Sequence, residues 1–134
     1  IVPLSQAPHV RNETQRLIYS HFGTDTLPPL HRIFVKVVSD GYVLVGTYTL
    51  EDDDLEGSGC PGPWIADLVV KREFRGQGYA TELIKDAKKR VSSSLFAWCA
   101  NPRVFRIFFE EGFKFVSSSP VKDSLTDVAI FICE

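Results

Sequence analysis

The stretch IADLVVKREFRGQGYATELIKDAKKR, Ile65 to Arg90, constrains this chain more than any other. Trp64 to Val70 is almost continuously apolar, as in a strand covered on both faces. A basic elbow carrying Gly76 and Gly78 follows. Tyr79, Ala80, Leu83, Ile84, Ala87 and Val91 then recur at helical spacing opposite Lys85, Lys88 and Lys89, which a helix packed on a core explains fully. Two glycines let the backbone approach a ligand and turn into a helix start, where free N–H groups and the helix dipole favour an anion. Strand, elbow and helix together make a phosphate cradle. Leu95 to Ala100 is strand-like again, so the unit is expected to be a right-handed parallel crossover.

The remaining pattern supplies elements on either side. Ile1 to Leu4 is a short apolar run that Pro3 confines to a sheet edge. From Pro8, the positions Val10, Leu17, Ile18 and Phe22 recur at helical spacing and Gly23 ends the pattern. Thr24 to Pro29 reads as a loop. Ile33 to Val38 and Tyr42 to Leu50 are two antiparallel strands joined by Ser39, Asp40 and Gly41. Glu51, Asp52, Asp53, Asp54 and Glu56 form an acidic patch, continued by a run from Gly57 to Pro63 too rich in Gly and Pro for a regular element. Pro102 opens a further helix whose packed face is Val104, Phe105 and Phe108 and which Gly112 stops. Phe113 to Val116 and Val128 to Cys133 read as two closing strands.

With 134 residues and 44% hydrophobic content, one domain over residues 1–134 with its own core is expected. The net charge of −2 gives no global attraction to nucleic acid or anionic membrane. No apolar run reaches the roughly 18 residues of a membrane span. Cys60, Cys99 and Cys133 are odd in number and lack CxxC spacing, which argues against a disulfide framework or a zinc site and for a reducing, cytoplasmic-type compartment. A chain that opens at Ile1 without any methionine is expected to be a trimmed piece, so upstream targeting information would be lost.

Spacing separates the families that use such a cradle. A Walker loop needs Lys and then Ser or Thr after the second glycine, where Tyr79 and Ala80 stand. A dinucleotide fingerprint needs a third glycine where Thr81 stands, and an acidic residue closing the next strand, where Cys99 lies. The residues instead match Arg/Gln-x-x-Gly-x-Gly/Ala at Arg75, Gly78 and Ala80, after a strand ending at Val70. This resembles the acetyl-CoA loop of the GNAT acetyltransferase superfamily. A second family motif, Asn-x-x-Ala-x-x-Phe-Tyr, is matched in spacing by Asn101, Val104, Ile107 and Phe108, with Gly112-Phe113 where Gly-Phe is usual. The element order resembles that fold over nearly the whole chain: an α+β architecture with a mixed central sheet of about seven strands and about four helices.

The resemblance implies an acetyl-CoA-dependent N-acetyltransferase without a metal, acting on a primary amine of a small cationic molecule, a protein N-terminus or a lysine. A catalytically weak or inactive acyl-CoA-binding module is the alternative. It implies no nucleic-acid or membrane partner, and a monomer or homodimer. The pantetheine arm would run along Leu68, Val69 and Val70, and the pyrophosphate would sit on the N–H groups of Arg75, Gly76, Gln77, Gly78, Tyr79, Ala80 and Thr81. Asn101 and Phe108 would also face the coenzyme, and an N–H near Leu68 would stabilise the oxyanion.

Two departures bear on the chemistry. Ala66 and Trp64 occupy the positions where family members carry a strand base. Asp67 is a carboxylate in that strand, but strict alternation turns it to the opposite face, where capping a loop is the plainer role and general base the alternative. Phe108 stands where the family has a tyrosine acid, and Tyr48 or water would have to substitute. A thiol with a reference pKa near 8.5 is nonetheless a tolerable leaving group as its anion. Asp52 and Asp53, in the acidic patch, either belong to a solvated loop or hold a cationic amine and relay its proton. His9, His21 and His31 read as surface or capping residues, and Cys99 as core.

Overall fold

The computed structural model describes residues 1–24, 26–52, 58–119 and 128–134. Seven strands form one sheet, in the order β1 (Val2–Pro3), β2 (Ile33–Val38), β3 (Val43–Glu51), β4 (Trp64–Val70), β5 (Leu95–Cys99), β7 (Val128–Cys133) and β6 (Lys114–Ser119). β4 and β5 are parallel, and every other neighbouring pair is antiparallel. Among the described residues three α-helices pack on the sheet, α1 (Arg11–Phe22), α2 (Tyr79–Arg90) and α3 (Pro102–Glu110), where about four were expected; the remaining helical pieces are single 3₁₀ turns. None is long and apolar enough to cross a membrane.

Burial follows the patterns from which the elements were read. β3 and β4 are buried along most of their length because helices cover both faces of the sheet there. On one side Leu83, Ile84 and Ala87 of α2 lie with Phe34, Val45, Tyr48, Phe108 and Phe131 in the largest core cluster. Tyr48 anchors α2 to β3: its hydroxyl donates to Asp86 Oδ2 at 2.6 Å, and Arg90 Nε donates to the same oxygen at 2.7 Å. The Arg90 guanidinium lies over the Phe34 ring, 4.3 Å from its centroid, so the charges on α2 are used to seat it. α1 is tied in by Lys71 Nζ, which donates to Glu13 Oε1 at 3.0 Å.

Two irregularities in β4 position the site. β4 pairs with β5 only at Trp64–Phe96 and Ile65–Ala97, and beyond those pairs the two parallel strands part. Against β3, Thr49 faces Ala66 and Thr47 faces Val69, so Asp67 and Leu68 together oppose the single residue Tyr48. That is a β-bulge, and Asp67 takes its left-handed position with φ 50°.

Candidate active site

The elbow between β4 and α2 has the backbone that its glycines predict. Gly76 and Gly78 have φ 78° and 87°, and a Cβ built on either would meet no atom within 4 Å, so open space lies over this turn. Gly78 is the N-cap of α2 and no side chain caps that helix end. The first-turn N–H groups therefore face outward, as an anion site requires. Arg75 Nε donates to Val70 O at 2.9 Å, pinning the elbow to the end of its strand.

A cavity of about 310 Å³ runs from this elbow along β4, lined by Leu68, Val69 and Val70, by Arg75, Gly76, Gly78, Tyr79, Ala80 and Thr81, and by Phe74, His21, Val104 and Ile107. Every coenzyme-contacting position expected in the strand and elbow is on this wall except Gln77, which is exposed. Asn101 and Phe108 lie elsewhere. They belong to a second cavity of about 350 Å³ in the gap between β4 and β5, with Ile65, Ala66, Asp67, Leu68, Trp98, Cys99, Ala100, His21, Phe22 and Val104. His21, Leu68 and Val104 are on both walls, so the two spaces adjoin there.

Asp67 thus reaches the cleft that simple alternation denied it. The bulge adds one residue to β4 and breaks the period of two on which that expectation rested. Burial pushes its carboxyl above the usual carboxylate range, and the nearby Thr49 hydroxyl pulls part of that back. Thr49 Oγ1 is itself buried without a hydrogen-bond partner of normal geometry. A carboxyl at a cleft wall with its proton affinity raised by burial suits proton transfer.

Other candidates are placed differently. Asp52 is bound by Arg32, whose two terminal nitrogens donate to its two oxygens at 2.9 and 3.3 Å, and it is on neither cavity wall. Asp53 lies outside the described residues. Tyr48 cannot serve as the missing acid: it is fully buried, its hydroxyl is given to Asp86, and burial and that carboxylate both raise its pKa. Phe108 is 3% exposed, stacked on Phe131 and edge-on to Phe113, so packing dictates its orientation. Cys99 lines the second cavity, but burial pushes its thiol up to about 11, which leaves little thiolate for nucleophilic chemistry. His21, read from sequence as a surface residue, is exposed and also faces the cleft. No sequence signal could place it there, because its approach to β4 depends on how α1 packs.

The comparisons with known proteins bear on the family and the fold. A model of the Acetyltransferase (GNAT) family matches residues 4–113. The chain belongs to that family. Compared with curated proteins by sequence, it has no match. Among solved structures it is similar to Arabidopsis thaliana NAA60 in complex with a bisubstrate analogue, with a TM-score of 0.70 and 16% identity over 93% of this chain and 92% of that one. An aminoglycoside 6'-N-acetyltransferase complexed with coenzyme A gives 0.68 and 14%, covering 95% and 91%. The NatC complex bound to Gag peptide and CoA gives 0.65 and 17%, covering 92% of each chain. At these identities the likeness concerns the fold alone, over 92% to 95% of this chain.

Proposed function

We propose that this protein transfers the acetyl group of acetyl-CoA directly to a primary amine, borne by a small molecule, a protein N-terminus or a lysine. The observation that carries this reading is the meeting of two cavities at Leu68: one leads to a capless helix start suited to a pyrophosphate, the other has the half-buried Asp67 carboxylate on its wall. The coenzyme fits the residues present. The N–H groups of Tyr79, Ala80 and Thr81 would hold its pyrophosphate, and the glycine elbow leaves room for it. The edge of β4 from Leu68 to Val70 has no strand partner on the β5 side; Val70 O is taken by Arg75 Nε, and the remaining backbone groups on that edge are open to an extended pantetheine arm. Acetyl-CoA supplies the activated acyl carbon at the junction.

In this reading Asp67 accepts the proton that the amine loses as it attacks, and its carboxylate also favours an ammonium group entering the second cavity. The N–H near Leu68 stabilises the oxyanion of the tetrahedral adduct. Trp98, Phe22 and Ala66 give the acceptor side an apolar wall, which strengthens the pull of the carboxylate on a cation. The test is release of free thiol from acetyl-CoA with a panel of amines, together with coenzyme A affinity by calorimetry. Turnover with at least one amine supports the proposal. Tight coenzyme binding without turnover on any amine overturns it and leaves an acyl-CoA-binding module.

A further inference from the structure

We propose that His21 is the acid that protonates the departing thiolate, a role that Phe108 cannot fill. This rests on the acetyl-transfer reading above. The C–S bond to be broken must lie where the two cavities adjoin, because the acetyl carbon meets an amine on one side while the thiol's chain extends along the other. Three residues border both spaces, and of these Leu68 and Val104 carry no transferable proton. His21 does.

The other titratable groups on these walls are already engaged or unsuited. On β4, Asp67 serves the amine. On β5, the Cys99 thiol is a weak acid, being pushed up to about 11 by burial. On the elbow, Arg75 points its Nε–H at Val70 O, and a guanidinium does not give up a proton in proteins. Tyr79 packs edge-on against Phe74 along the coenzyme cavity only. α3 presents Val104, Ile107 and Phe108.

The position of His21 is defined rather than incidental. It lies in the last turn of α1, whose end is closed by the Gly23 N–H donating to Tyr19 O at 2.8 Å. Its ring sits edge-on to Phe22 at 4.7 Å, and the Glu13–Lys71 ion pair ties α1 to the residue that follows β4. Being exposed, the imidazole can exchange protons with water between turnovers.

The step balances. The amine nitrogen attacks the thioester carbon, a C–N bond forms, and the amine proton passes to the Asp67 carboxylate. The adduct collapses, the C–S bond breaks with its electron pair on sulfur, and the His21 imidazolium N–H gives that sulfur its proton. Amide, free thiol, neutral imidazole and protonated carboxyl remain, and water resets the two side chains.

The experiment compares wild type, His21→Gln and His21→Gln/Phe108→Tyr by thiol release across pH, with coenzyme A affinity measured on each. His21→Gln is expected to lower kcat on the order of 10²-fold and to leave coenzyme affinity unchanged. Phe108→Tyr in that background should return part of the rate by offering a phenol from the opposite wall. A His21→Gln variant with wild-type kcat overturns the proposal, as does one whose loss is explained by weakened coenzyme binding. In both cases wild-type turnover keeps the acetyltransferase reading standing. Absence of turnover in wild type removes that reading, and this proposal with it.

Discussion

Burying a carboxyl at a left-handed bulge residue disfavours its charged form, and at Asp67 the Thr49 hydroxyl offsets only part of that. The folded protein therefore binds the Asp67 proton more tightly than the unfolded chain does. From the unfolded carboxylate's pKa of about 3.9 up to the raised folded value, Asp67 makes stability fall as pH rises, and the loss persists at neutral pH. Asp67→Asn removes this cost, and Asn tolerates the positive φ of 50° as well as Asp does. We expect this variant to melt at a higher temperature than wild type at neutral pH and to show no such gain in acid. Its kcat/KM for the amine should fall roughly 10²- to 10⁴-fold, with loss of the acidic limb that wild type shows as the base is protonated. Unchanged kcat/KM with the limb intact would mean that Asp67 is a bystander on the cavity wall.

At the scale of elements, the two ends of α2 are built for different tasks and should respond separately. Gly78 at its start has φ 87° with open space beyond, so Gly78→Val brings no clash within the protein. A β-branched residue there strains the backbone by about 1–3 kcal/mol and puts bulk where the pyrophosphate would approach. Calorimetry should find a folded protein whose affinity for acetyl-CoA has dropped by at least an order of magnitude; retained affinity would remove the cradle from the coenzyme site. Further along α2, Asp86 takes hydrogen bonds from both Tyr48 and Arg90. Tyr48→Phe deletes one of them in a buried place and should lower stability by about 1–3 kcal/mol, read from a shifted urea midpoint at constant slope. Thiol release should be unaffected, and a large drop in kcat would restore Tyr48 as a chemical participant.

For the molecule as a whole, a ligand that binds only the native state stabilises it by about 2.7 kcal/mol at a hundred times its dissociation constant. In a chain of 134 residues this corresponds to a rise in melting temperature on the order of 10 °C. Saturating acetyl-CoA should produce such a rise in wild type and in Asp67→Asn, but little in Gly78→Val. A rise of equal size in all three would place the binding energy away from the elbow.

Periodicity in the sequence determined the elements because burial on a helix or a strand is a local pattern: α2, β4 and the hairpin of β2 and β3 begin and end within a residue of where their apolar spacing puts them. The anion cradle was legible for the same reason, since Gly76, Gly78 and the helix start are adjacent in the chain. The second cavity was not legible. Its walls come from α1, β4, β5 and α3, and it exists because β5 leaves β4 after two paired residues. Nor did spacing reveal the side-chain direction of Asp67, because a bulge depends on which residues of β3 and β4 pair, and no property of β4 alone reports that. His21 shows the same limit. Its place beside Leu68 is decided by how α1 packs on β4, and packing between segments distant in sequence leaves no period to read.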